Sequence, residues 1–227
     1  MTGLPLSPLA RGHGALRPVP GFPLSPPARG NGAPLPVPLV FLAFVFAACG
    51  PSAPAAAPGA ALTAKNVAPS EGVIVTSGCT PTGPEVCFNA NDDNCNGVID
   101  EGCGVATGAL QFMVAWGDSP ADVDLTVTDP NAGRITKANR STPSGLQLER
   151  NCPDDGCHQQ NTENVFFDGA EPLRGRYVVE VKLVDPHGAE LPVKVHLSAR
   201  VGSRTWAMDF ALAPTQGQDR QGFSFDL

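Results

Sequence analysis

Acidic residues are missing from the first 70 positions of this 227-residue chain, and the first to appear is Glu71. The same stretch holds 14 of the 24 prolines. Prolines that remove backbone donors, with no apolar face between them, cannot build a core. Aromatic residues are scarce, only 6% of the chain, with a single Tyr. Nine of the 14 aromatics lie after residue 105, so the core must form in the C-terminal half. Only one long apolar run exists, which excludes a multi-span membrane protein. A surplus of positive charge is also lacking. The formal charge is −7, and the acids cluster beside cysteines, which argues against a nucleic-acid partner.

Residues 5–20 and 23–38 repeat one Pro/Gly-rich text, identical at 12 of 16 positions. It has no face to bury against a neighbouring unit, so it is a duplicated leader and not a solenoid. Leu39 to Ala48 follows, ten apolar residues before Cys49 with Arg29 upstream. That is the length of a signal-peptide core and too short to span a bilayer. The ending Phe46-Ala47-Ala48-Cys49 resembles the lipobox of bacterial lipoproteins, with Phe46 in a place more often held by Leu or Val. The resemblance implies lipidation of Cys49 and an anchor in the lipid bilayer, in the bacterial cell envelope and there the outer membrane. Two or three acyl chains anchor stably where one does not. The competing expectation is an ordinary signal peptide cut after Ala48. Without Arg11, Arg17 and Arg29 the mature chain moves from −7 to −10, a balance that favours cations.

Seven cysteines is an odd number for an exported chain. Setting Cys49 aside leaves Cys79, Cys87, Cys95, Cys103, Cys152 and Cys157, enough for three disulfides in an oxidising compartment. The pairing of the first four stays open, while Cys152 and Cys157 pin an acidic hairpin tip together.

Residues 79–103 show no hydrophobic period, and their four cysteines staple a segment without a core of its own. Within them, Asp92, Asn94 and Asn96 place oxygens at alternate positions before Gly97. Val98 then offers a carbonyl, Asp100 a further carboxylate, and Ile99 an apolar docking point, with Glu101 next. Alternation directs oxygens inward and the glycine permits the sharp turn, which is the layout of a Ca²⁺ loop. The twelfth position is Cys103, so this is not an EF-hand. The competing expectation is a solvated Asn/Asp/Gly turn. Glu85, Cys87, Asp92, Asp93, Asn94, Cys95, Asn96, Gly97, Asp100 and Glu101 together resemble the MopE-type metal-binding motif of exported bacterial proteins. That label mentions copper, but 79–103 contains neither His nor Met, and copper prefers imidazole or soft sulfur. Hard oxygens point to Ca²⁺, with a weak affinity on the order of 10⁻⁴–10⁻³ M because Asn replaces Asp at ligand positions.

After Gly104 the period changes to two. Phe112, Val114 and Trp116 alternate with Gln111, Met113 and Ala115, and Val123, Leu125 and Val127 alternate with Asp122, Asp124 and Thr126. Similar alternation runs through 177–184, 193–201 and 206–212, with turn signals between. Seven to nine short antiparallel strands over about 120 residues make a mainly β protein with a β-sandwich. Trp116, Asp122–Pro130, Asn139-Arg140-Ser141, Glu163–Phe166 and Gly175–Val181 resemble the YfaP-type exported domain of unknown function. The resemblance implies an Ig-like sandwich and no activity.

Asp122 and Asp124 lie two apart and share one face of a strand. Like charges side by side need an offset, so a second Ca²⁺ site with Asp155, Glu163 or Asn164 stands beside two solvated carboxylates as equal expectations. No nucleophile, base and orienter are assembled around His13, His158, His187 or His196, so no enzyme is expected. A hydrolase would need His158 to meet Asp154, Asp155 or Glu163. A copper-handling protein would need His158, His187 or His196 to converge with Met113 or Met208. The chain thus divides into a leader over 1–48, a flexible tether over 49–78, a Cys-rich Ca²⁺-type loop over 79–104 and a sandwich over 105–227. The expected whole is a non-enzymatic anchored lipoprotein, with an envelope protein or polysaccharide as its partner.

Overall fold

The structure, a computed structural model, describes residues 61–157, 160–169 and 171–227. The leader, Cys49, the first part of the tether and His158 lie outside the described residues. Those described form eleven strands and no helix. They are β1 (Lys65–Pro69), β2 (Ile74–Ser77), β3 (Leu110–Ala115), β4 (Asp122–Thr128), β5 (Arg134–Ile135) and β6 (Leu146–Arg150), followed by β7 (Thr162–Phe167), β8 (Arg176–Asp185), β9 (Val193–Val201), β10 (Arg204–Leu212) and β11 (Arg220–Asp226). One sheet has the order β1-β11-β8-β4-β5 and the other β2-β10-β9-β3-β7-β6. Within each sheet every pair of neighbouring strands is antiparallel. The fold is an antiparallel β-sandwich, and nine of its strands begin after residue 105.

Alternation decides which side chains meet between the sheets. In β4, Val123, Leu125 and Val127 are buried while Asp122, Asp124, Thr126 and Thr128 are half-exposed. Tyr177, Phe225 and Phe223 stack in the core, with the Tyr177 and Phe225 rings 5.2 Å apart, and Phe112 packs tilted against Phe223 and Phe225. Tyr177 is sealed in because its hydroxyl donates to the Leu173 carbonyl at 2.9 Å, which satisfies the one polar atom it carries inward.

Two features depart from the sequence expectations. Residues 65–77 are not tether: β1 pairs with β11 and β2 with β10. Val73 joins the core, and Val67 and Val75 pack against it. Both are short margin strands, exposed along most of their length, and the Lys65 and Pro69 of β1 are residues that suit an edge. Their composition reads as linker because the partner strands supply what they lack. The second departure is β3, buried along all six residues. Leu110, Phe112 and Val114 face the sandwich core. On the other face, Met113 and Ala115 pack with Ala90 and Ile99 of the Cys-rich loop, which forms a small second core with Val105. Ile99 is fully buried there, in its expected role as the docking side chain.

Candidate metal centre

The loop over 79–104 has no strand and no helix. Two interleaved disulfides hold it, Cys79–Cys95 and Cys87–Cys103, each closing 16 residues. Loops of that size give up about 3 kcal/mol of unfolded-state entropy apiece on the chain-entropy model. Cys152–Cys157 closes the hairpin tip.

Inside the loop, buried carboxylates replace a core. Asp93 accepts from Thr82 Oγ1 at 3.0 Å, the Val86 N–H at 3.0 Å, Asn89 Nδ2 at 2.9 Å and Asn91 Nδ2 at 3.0 Å. Burial alone would raise its pKa, but these bonds outweigh burial and hold it below the usual carboxylate range. Asp92 takes the Asn96 N–H on one oxygen, and on the other the Gly97 N–H and Thr205 Oγ1 at 3.0 and 3.1 Å. It therefore fixes the turn and ties it to the β9–β10 hairpin. Asp100 turns the other way. It is fully buried, one oxygen accepts from the Ala90 N–H at 3.3 Å, and the other has no partner. Burial, partly offset by the Ala90 N–H and reinforced by the Glu85 charge, pushes its pKa up to about 6.

A different set converges. Glu101 Oε1 accepts from Asn94 Nδ2 at 2.5 Å and also from Asn96 Nδ2. Glu85 Oε1 accepts from the Asn94 N–H at 3.0 Å. The second oxygens of Glu85 and Glu101 are both shut off from water without a partner. Burial raises the Glu85 pKa, the Asn94 N–H opposes this, and the nearby Glu101, Asp93 and Asp92 charges add to it. Asn94 Oδ1 and Asn96 Oδ1 cap the N–H groups of Asn96 and Val98, yet an amide oxygen keeps a second lone pair for a ligand. Of the expected ligands, Asn94, Asn96 and Glu101 lie together. Asp92 spends both oxygens on the Asn96 and Gly97 N–H groups and Thr205, Asp100 spends one on the Ala90 N–H, and Glu85, read only as part of the motif, joins the group. All candidate donors are hard oxygens, the donor set of Ca²⁺. Among the described residues, no three His, Cys, Asp or Glu side chains form a group that could hold a metal by themselves. Amide or backbone oxygens have to complete any shell.

The second expected set divides. Asp155 binds Arg140 through both oxygens, at 3.1 and 2.8 Å. Asn164 faces the other way, toward Gln111 Nε2, the Ala106 carbonyl and Glu149 at 3.2, 2.8 and 3.0 Å. Neither stands with Asp122, Asp124 and Glu163, which do share one neighbourhood with Lys137 and Asp154.

The copper set does not assemble from the described side chains. Met208 is in the sandwich core and Met113 under the Cys-rich loop, while His196 bonds Asp209 on the outer face and His187 pairs with Asp185 in a turn. His196 does carry a neighbourhood that sequence reading missed. Its Nδ1 is 2.8 Å from Asp209 Oδ1 and its Nε2 is 3.3 Å from Ser198 Oγ. The signal was available, since residues 196 and 198 share a strand face and β10 brings Asp209 opposite His196. Burial runs against an acyl-transfer relay, however. Ser198 is 2% exposed, while the Asp209 side chain is 85% exposed. Beside this trio, Phe88, Trp116, Lys194, Val195 and Phe210 line a cavity of about 710 Å³ between the loop and the sheet.

Compared with models of protein families, with curated proteins and with solved structures, this chain matches none.

Proposed function

We propose that this chain is an exported, non-enzymatic lipoprotein, anchored through Cys49 in the bacterial outer membrane, whose Cys-rich loop binds Ca²⁺ and braces a sandwich used for binding. The observation that carries the Ca²⁺ reading is the pair of orphaned oxygens, Glu85 Oε2 and Glu101 Oε2, beside Asn94 and Asn96. A buried carboxylate oxygen without a partner is costly, and one divalent ion offsets two of them. The anchor is supported by cysteine usage, because all six other cysteines are paired and Cys49 alone is left over. The open groove beside Phe88 and Phe210 is where an envelope protein or polysaccharide has room to dock.

Limited proteolysis tests the Ca²⁺ reading. Binding to the native state alone stabilises by about 1.4 kcal/mol at ten times Kd, so millimolar Ca²⁺ should slow cleavage within 79–103 about tenfold. Glu101→Gln should cancel that protection and Asp122→Asn should leave it intact. Equal cleavage with Ca²⁺ and with EGTA would mean that the loop is a disulfide-held turn. A hydrolase reading has one observation in its favour, the order Asp209–His196–Ser198. Labelling of Ser198 by a fluorophosphonate would support it over the binding-module reading.

A further inference from the structure

Asp122 and Asp124 project from the same side of β4, where β5 pairs only with Val127 and Thr128 and leaves residues 122–126 at the margin of the sheet. From the facing sheet, Glu163 reaches across, and its Oε2 accepts the Leu125 N–H at 2.6 Å, one residue from Asp124. Glu163 is 1% exposed, and its other oxygen, Oε1, has no partner. Asp124 Oδ1 is likewise shut off from water without a partner. Among the described residues the ammonium in contact is Lys137, with Nζ 3.9 Å from Asp122 and 3.8 Å from Asp154. Lys182, opposite Asp124 on β8, and His187 act from farther off. Lys137 is 44% exposed, and ion pairs at such long range and exposure stabilise little. None of these cations bonds Asp124 or Glu163 directly, and their orphaned oxygens stay without a partner. Burial followed by the Asp124 charge raises the Asp122 pKa. Glu163 is raised well above its ordinary value by burial, against the Leu125 N–H, and then by Asp124 and Asp122.

We propose that Asp122, Asp124 and Glu163 form a second site for a hard divalent cation, Ca²⁺, which enters by displacing the Lys137 ammonium. A proton satisfies one orphaned oxygen, whereas a divalent ion bridges Asp124 Oδ1 and Glu163 Oε1 at once. Among the described residues no three His, Cys, Asp or Glu side chains form a group that could hold a metal as they stand. Asp122, Asp124 and Glu163 therefore have to draw together on the ion, and Lys137, which lies between Asp122 and Asp154, has to give way. Its two long contacts are easily given up. Asp154 then becomes free to supply a further oxygen from the hairpin tip, and water completes a shell that Ca²⁺ accepts in flexible geometry. The ion would link β4 of one sheet to β7 of the other where a single hydrogen bond now does so.

This site is independent of the Cys-rich loop and is tested with that loop disabled. In a Glu101→Gln background, Ca²⁺ is titrated into the mature chain and the melting temperature is followed, with Lys137→Met, Asp124→Asn and Asp122→Asn added singly. Removing a unit positive charge beside the ion should tighten binding about tenfold or more. Lys137→Met should thus move the Ca²⁺ midpoint down by that factor, and Asp124→Asn or Asp122→Asn should abolish the Ca²⁺-dependent rise. If Lys137→Met melts lower and Ca²⁺ does not restore it, lysine alone neutralises the cluster and the proposal is wrong. A Ca²⁺ response that survives both Asp→Asn changes would also overturn it.

Discussion

Replacing Cys49 by serine should transfer the whole protein from the membrane fraction to the soluble fraction and abolish its labelling with palmitate. The expected effect is all-or-none, because each buried methylene of an acyl chain contributes about 0.8 kcal/mol and two or three chains hold far more tightly than one. Among the described residues no helix is long and apolar enough to cross a membrane. The six remaining cysteines are occupied in disulfides, so the substitution leaves the folded part untouched and its melting temperature unchanged. Retention of the serine variant in the membrane, or continued palmitate labelling, would remove the lipoprotein reading.

The second large effect is expected at Gly97. Its φ is +87°, and an added Cβ would stand 2.8 Å from the Ser203 carbonyl oxygen, an atom of the β9–β10 turn that cannot swing aside. Gly102 has a similar φ of +78° but open space around it. An L-residue in this backbone region costs roughly 1–2 kcal/mol, a cost both positions share. Only Gly97→Ala adds a backbone clash, which also threatens the bonds that Asp92 accepts from the Gly97 N–H and the Thr205 hydroxyl. Gly102→Ala should therefore lower the melting temperature by a few degrees, about 2–4 °C per kcal/mol in a chain of this size. Gly97→Ala should lower it clearly further and raise amide exchange across Ser203–Thr205. Equal effects of the two would mean that the loop does not depend on this close approach.

The strands of the sandwich were legible because alternation is a local property: Val123, Leu125 and Val127 show their period without knowledge of any partner. What lay beyond reading was whatever a distant segment decides. Lys65–Pro69 and Ile74–Ser77 are strands only because β11 and β10 present open edges to them. Met113 and Ala115 are buried because Ile99 arrives from the Cys-rich loop. The disulfide pairing could not be told from spacing, since Cys79, Cys87, Cys95 and Cys103 recur every eight residues, and four cysteines allow three connectivities.

Site residues divided in the same way. The acidic and amide residues that ligate calcium also cap backbone N–H groups, so Asp92 fitted the ligand pattern while its neighbours claimed both its oxygens, and Asp100 gave one of its two to the Ala90 N–H. Glu85 precedes the alternating run by several residues, and the crossed disulfides and the Asn94 N–H bring it near Glu101. At the second cluster, the hairpin-tip acid that meets Lys137 is Asp154 and not its neighbour Asp155, which Arg140 takes. A turn selects between adjacent carboxylates, and its conformation is not written in their spacing.

Amide hydrogen exchange across residues 85–101, recorded on the mature protein with Ca²⁺ and with EGTA, tests the central claim most directly. If Glu85, Asn94, Asn96 and Glu101 surround the ion, Ca²⁺ should slow exchange at Asn94, Asn96 and Val98, whose N–H groups lie within that group. Glu101→Gln should return them to the EGTA rate. Identical exchange in Ca²⁺ and EGTA, with the disulfides intact, would contradict it.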